Sequence, residues 1–187
     1  MRSKSGIVVF VWLLSLHFTW AQSDVNYQHK ALIKDLQKAG LTDLSSIEEI
    51  AVPDSINASN PIQGKYFLIK ENNLSLYQYI YVGRVNSCRA GGCSITHNMA
   101  DDVSSEYFDY YILFDKNKTV QTVKVFNYQA THGHEITAKG WLKQFRGHNG
   151  SEPLVVDKNI DAISGATISV YAICFDVETK TKILRQI

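Results

Sequence analysis

Two kinds of apolar spacing divide the chain. Between Val25 and Ala39, the residues Ala31, Leu32, Leu36 and Ala39 approximate the spacing of one helix face. Asp24 is placed to cap that helix and Gly40 to end it. A second short helix is expected over 45–50, and the Asn-, Ser- and Pro-rich stretch 53–64 reads as a loop. From Lys65 the spacing shortens. Segments 65–70 and 76–85, rich in Tyr, Phe and Val, read as strands joined at Asn72-Asn73. Segments 107–114 and 119–127 read as a second pair, joined by 115–118 as a hairpin loop. In the last strand, Val120, Thr122, Lys124 and Phe126 against Gln121, Val123 and Val125 give no clean alternation, so its buried face is left open. The segment from Cys88 to Ser105 reads as an excursion between the two pairs.

Beyond Asn127 the helical repeat returns. Trp141, Leu142 and Phe145 form a short stripe that ends at Gly147, and a turn at 150–153 leads to a short strand over 154–156. Val170, Ile173, Cys174, Val177 and Leu184 then trace one continuous helix face. Antiparallel hairpins followed by a helix, without βαβ alternation, define an α+β class: hairpins or a half-barrel sheet packed with helices, and a long C-terminal helix. No internal repeat or low-complexity tract is present.

The first residues follow neither spacing. Arg2 and Lys4 precede an apolar run from Ile7 to Leu16, and Thr19-Trp20-Ala21 places small residues around a bulky one before Gln22. A basic start, a short apolar run and a small-x-small exit form a secretory signal peptide over 1–21, cleaved after Ala21. The rival is an uncleaved anchor through residues 7–20. A spanning helix wants about 20 apolar residues, and this run is shorter and interrupted by His17. The expected organisation is therefore a signal over 1–21, a helical and loop segment over 22–64, and one main domain over 65–187. Its expected location is outside the cytoplasm, in the periplasm or cell envelope.

Charge and cysteine content sharpen this picture. The whole chain has 19 basic and 18 acidic residues; without Arg2 and Lys4 the balance is 17 to 18, net −1. A near-neutral chain with no Lys/Arg cluster lacks the footprint of a nucleic-acid binder. Export makes cysteine pairing chemically accessible. Cys88 and Cys93, with Gly91-Gly92 between them, are expected to form a local disulfide. Their spacing is not the C-x-x-C of thiol oxidoreductases, and two ligands are too few for zinc. Cys174 reads as a core residue of the last helix. Asn57, Asn73, Asn117 and Asn149 begin Asn-x-Ser/Thr triplets, which arise readily by chance in an Asn-rich chain.

The segment with the most chemistry is Asp161 to Ser169, a turn of small and hydroxyl-bearing residues ahead of the last helix. Gly165 and Ala166 remove bulk, while Ser164 and Thr167 offer hydroxyls. The helix start behind them presents unpaired N–H groups and a positive dipole end. Two readings stand side by side. Ser164 or Thr167 could cap the helix, or the turn could hold a phosphate.

Asp161-x-x-Ser164-Gly165-Ala166-Thr167 resembles the flavinylation motif of the FMN-binding domain. That domain occurs in the C subunit of sodium-pumping NADH:quinone reductase, in the G subunit of the Rnf complex, and in exported bacterial flavoproteins. In that family the motif threonine carries FMN through a phosphoester that a separate flavin transferase makes from FAD. Upstream, His134-Glu135, a turn, and Trp141-Leu142-Lys143-Gln144-Phe145 resemble a second family stretch. Here the turn after Glu135 reads Ile136-Thr137-Ala138-Lys139-Gly140, without the family's Pro. The resemblance covers roughly residues 76–185, and it implies covalent FMN at Thr167. It further implies that Ser164, Gly165 and Ala166 shape the phosphate site and that Asp161 serves recognition by the transferase, the alternative for Asp161 being a solvated turn residue. Glu135 and Thr137 would lie near the flavin, with Trp141 as a wall against the ring or simply as core.

His132-Gly133-His134-Glu135 also invites a metal reading, but no partner motif supplies the third ligand a catalytic zinc needs, so no metal is expected. The implied activity is electron transfer with an unidentified donor and acceptor, as a redox component rather than a stand-alone catalyst. The alternatives are a membrane-anchored FMN subunit of a respiratory complex and a non-redox envelope module with a vestigial flavin site.

Overall fold

The structure is a computed structural model that describes residues 24–59, 62–70, 76–89 and 105–187. Its centre is a five-stranded antiparallel meander in sequential order. The strands are β1 (Ile47–Ile50), β2 (Gly64–Ile69), β3 (Tyr79–Arg89), β4 (Ser105–Phe114) and β5 (Val120–Tyr128). Helix α1 (Lys30–Lys38) covers one face, packing Leu32 and Leu36 against Ile69, Ile80, Val82, Tyr111 and Leu113. The opposite face is covered by the C-terminal helix, whose Val170, Ile173, Cys174 and Val177 share a core with Tyr66, Tyr81, Tyr110 and Ile112. Among the described residues no helix is long and apolar enough to cross a membrane.

Several local expectations are corrected. The first helix starts at Lys30, capped by His29 Nδ1, which accepts from the amide of Ala31 at 3.2 Å; Asp24 lies outside it. Residues 45–50 are not helical. Asp43 caps a 3-10 turn at Leu44–Ser46, and Ile47–Ile50 then pairs as edge strand β1 with β2, from Ile47 opposite Ile69 to Ile50 opposite Tyr66. Ladder pairing and the burial of Ile47 and Ile50 outweigh the weak local helix preference. The loop expected over 53–64 contains helix α2 (Asp54–Ser59), started where the Pro53 carbonyl accepts from Ile56 and Asn57, and its Ile56 reaches the core. At 154–156 only a bridge between Val156 and Ile160 forms.

The unclean alternation in β5 has a physical cause. Leu113 pairs with Thr122 and Phe114 with Val120, leaving Gln121 as an extra residue; Asp109 pairs with Asn127 and Tyr110 with Val125, leaving Phe126 as another. Each bulge shifts the phase by one residue. Val120, Val123 and Val125 therefore all face the core, opposite Phe114, Ile112 and Tyr110.

The interface beneath the C-terminal helix is partly polar. Tyr110 donates to Asp176 at 2.5 Å, Lys180 pairs with Asp176 at 3.1 Å, and the Tyr66 hydroxyl donates to the Lys180 carbonyl at 2.9 Å. The Tyr81 hydroxyl is different: it is buried with no hydrogen-bond partner among the described residues. It occupies space left by glycines, since a Cβ on Gly83 would lie 2.2 Å from it. An unpaired buried hydroxyl carries a desolvation cost of about 1–3 kcal/mol. Tyr81→Phe is therefore expected to unfold at an equal or higher denaturant concentration than the parent; a clear loss of stability would show that the hydroxyl is bonded.

Candidate functional site

The C-terminal helix, α4, spans Thr167–Leu184, after a short α3 at Lys139–Leu142 and a 3-10 turn at Lys143–Phe145. The capping expectation for Ser164 and Thr167 is corrected. Ala166 is the N-cap, at φ −118°, and no side chain accepts a bond from the first turn. Its carbonyl accepts from Val170 at 2.9 Å, so the ladder begins normally behind it. Thr167 is the first helical residue and is exposed, as are Ser164, Gly165 and Asp161, while Ala166 is buried. Gly165 adopts φ +81°, and nothing lies within 4 Å of the place a Cβ would take. An exposed hydroxyl, open space over the turn and amides without side-chain acceptors at a helix start match the needs of a phosphate ester.

One flank of this turn is fixed by backbone hydrogen bonds at Asp161. Trp141 Nε1 donates to the Asp161 carbonyl at 2.8 Å, and the Asp161 amide donates to Gln144 Oε1 at 2.8 Å. The carboxylate of Asp161 thus remains exposed while its backbone is held. Trp141 is half-buried, edge-on to Phe145 at 5.5 Å between ring centroids, so it combines core packing with a clamp on the strap before Thr167. Gln144 also borders a cleft of about 250 Å³ with His148, Glu152, Leu154 and Asn159, which includes none of residues 161–167. Burial lowers the pKa of His148 there, which favours the neutral ring.

Glu135 and Thr137 lie on a 3-10 turn, His134–Thr137, whose Ile136 anchors it in the core. Glu135 is exposed and Thr137 half-buried. This turn meets α4 at Ser169, which stands about 200° around the helix from Thr167. The structure therefore joins Trp141 and Gln144 to Asp161, three residues before Ser164, and packs Gly133, at the start of the Glu135–Thr137 turn, against Ser169 in the first turn of α4.

Two residues of this arrangement were not singled out from the sequence: Tyr128 and Ser169. Gly133, between two histidines at φ +86°, is the one local signal that pointed toward them. Cys174 is buried, and that burial pushes its thiol up to about 12, as suits an unreactive core residue. The expected signal over 1–21 lies outside the described residues, as do Cys93 and the side chain of Cys88. Among the described residues no group of three or more His, Cys, Asp or Glu side chains is placed to hold a metal ion.

The last helix of this antiparallel α+β domain opens on a hydroxyl-bearing turn that no side chain caps. Residues 107–178, from β4 into α4 and including every site residue above, match the family model of the FMN-binding domain. No curated protein matches the chain.

Proposed function

We propose that this protein carries FMN esterified through its phosphate to Thr167 Oγ and acts outside the cytoplasm as an electron-transfer flavoprotein. The observation that carries this reading is the position of Thr167, an exposed hydroxyl at the first residue of an 18-residue helix whose start no side chain caps. Attachment balances with FAD as donor. The Thr167 oxygen forms a bond to the FMN phosphorus, the pyrophosphate bond of FAD breaks, AMP leaves, and the hydroxyl proton is released. A dedicated flavin transferase would catalyse this step, and Asp161, which is exposed, would serve its recognition.

The flavin, once attached, supplies one- and two-electron chemistry. The chain's own contribution is to hold the phosphate at the α4 N-terminus, where amides and dipole favour negative charge. Ser164, Gly165 and Ala166 keep the turn small enough for that approach. Glu135 and Thr137 offer polar groups on one flank and Trp141 an aromatic edge on the other. Export through residues 1–21 and a Cys88–Cys93 disulfide belong to the same reading.

Intact-mass measurement on the full chain, expressed with a flavin transferase, tests it. The expected protein begins at Gln22, carries one FMN that survives denaturation, and yields that FMN on the peptide containing Thr167. Its mass rises by two hydrogens on reduction of the disulfide. Flavin lost on denaturation, or found on another residue, would refute attachment at Thr167.

A further inference from the structure

Tyr128, the last residue of β5, makes four contacts that together reach across the site. Its hydroxyl donates to the His132 carbonyl at 2.5 Å and lies 2.9 Å from Ser169 Oγ in the first turn of α4. With its single proton committed to His132, the tyrosine oxygen accepts from Ser169. Its ring stacks on Phe108 of β4 at 5.8 Å and 8°, and the His134 ring meets it edge-on at 5.3 Å. Partial burial raises its pKa above the ordinary tyrosine value, so the hydroxyl stays a donor at neutral pH.

Gly133 shows how closely these parts approach. At φ +86° a Cβ would lie 2.6 Å from Ser169 Oγ and 2.9 Å from the Tyr128 hydroxyl. The chain passes through this contact and turns directly into the His134–Thr137 segment. One phenol therefore bonds both the approach to that segment and the helix that begins at Thr167. The strap before Thr167 has its own lock, the Trp141 and Gln144 bonds to Asp161.

We propose that Tyr128 is a positioning residue of the flavin site, locking the turn that carries Glu135 and Thr137 to the first turn of α4. This rests on the reading that Thr167 bears FMN. Tyr128 sets the flavin's surroundings through the turn it holds and takes no part in attachment.

The test compares the full chain, matured with a flavin transferase, with Tyr128→Phe, Ser169→Ala and the double variant. Tyr128→Phe keeps the stacked ring and removes only the hydroxyl. Expected are one FMN per chain in every protein and amide hydrogen exchange over residues 133–137 about tenfold faster in Tyr128→Phe, the size of a lost hydrogen bond expressed as a population. Quenching of flavin fluorescence by iodide should rise alongside, a readout that loss of a merely structural contact remote from the flavin would not move. The double variant should match Tyr128→Phe in both, because the two hydroxyls share one lock. Unchanged exchange and quenching, with FMN attached, would overturn the proposal. So would loss of FMN from the Tyr128 variant alone, which would place the residue in maturation instead. Wild-type protein without FMN at Thr167 would sink the attachment reading itself, and the two failures are separated by mass.

Discussion

Thr167→Val is expected to give a folded protein with no covalent flavin, as the proposed attachment at Thr167 requires. Valine keeps the β-branched shape and lacks the oxygen, and their helix propensities are close. Thr167 is exposed and forms no cap, so nothing in the fold depends on its hydroxyl. The change in stability is expected to stay within about 0.5 kcal/mol, as for surface substitutions away from special features. Under the proposed reading attachment is expected to be all or none, since the ester would have no other oxygen at that position. Ser164, the nearest hydroxyl in sequence before it, precedes the helix by three residues and cannot take the N1 place. Flavin fluorescence of the denatured chain and a circular-dichroism melt read the two effects separately. A Thr167→Val chain that stays yellow after denaturation would end the proposal, and one that fails to fold would assign Thr167 a structural role.

The Asp161–Thr167 turn ahead of the last helix was legible in the sequence because its residues are contiguous and its small and hydroxyl-bearing side chains are a local pattern. The α4 repeat was legible too, since Val170, Ile173, Cys174 and Val177 form a buried stripe without help from other elements. What depended on distant partners was not. Residues 45–50 have little that separates a short helix from a strand; their pairing with β2 decides it. The β5 pattern hid two bulges, whose cause is the register against β4 and whose signature in one strand is only a broken alternation. The capping reading failed for a similar reason. Ser164 and Thr167 have side chains suited to a cap, but the turn at Gly165 makes Ala166 the N-cap and leaves both residues exposed. Tyr128 joins Ser169 across 41 positions, and no spacing rule reaches that far.

The same register places a buried ion pair beside the Tyr128 lock, and Asp109→Ala is expected to be the most destabilising single change. Asp109 stands opposite Asn127, next to the Phe108–Tyr128 pair. Arg84 donates to both of its oxygens, Nε at 2.7 Å and a terminal nitrogen at 3.0 Å, and Asn127 adds a third bond at 2.8 Å. The two side chains are 5% and 2% exposed, and the guanidinium lies 3.7 Å from the Tyr107 ring centre. Burial at this depth makes the pair costly to break, because removing the carboxylate strands a charge that cannot shed its proton. The expected loss is about 3–5 kcal/mol, seen as a lower urea midpoint and a melting temperature lower by roughly 10 °C. Replacing both partners with apolar residues of similar volume, as Arg84→Met with Asp109→Leu, should recover much of that loss, since it removes the desolvation cost along with the attraction. If Asp109→Ala melted with the parent, Arg84 would have to find water or another carboxylate, and the β3–β4 junction would be more open than the geometry of this pair requires. A large loss that the double change did not recover would instead assign the pair a role in fixing register, through the bulge that puts Asn127 within its reach.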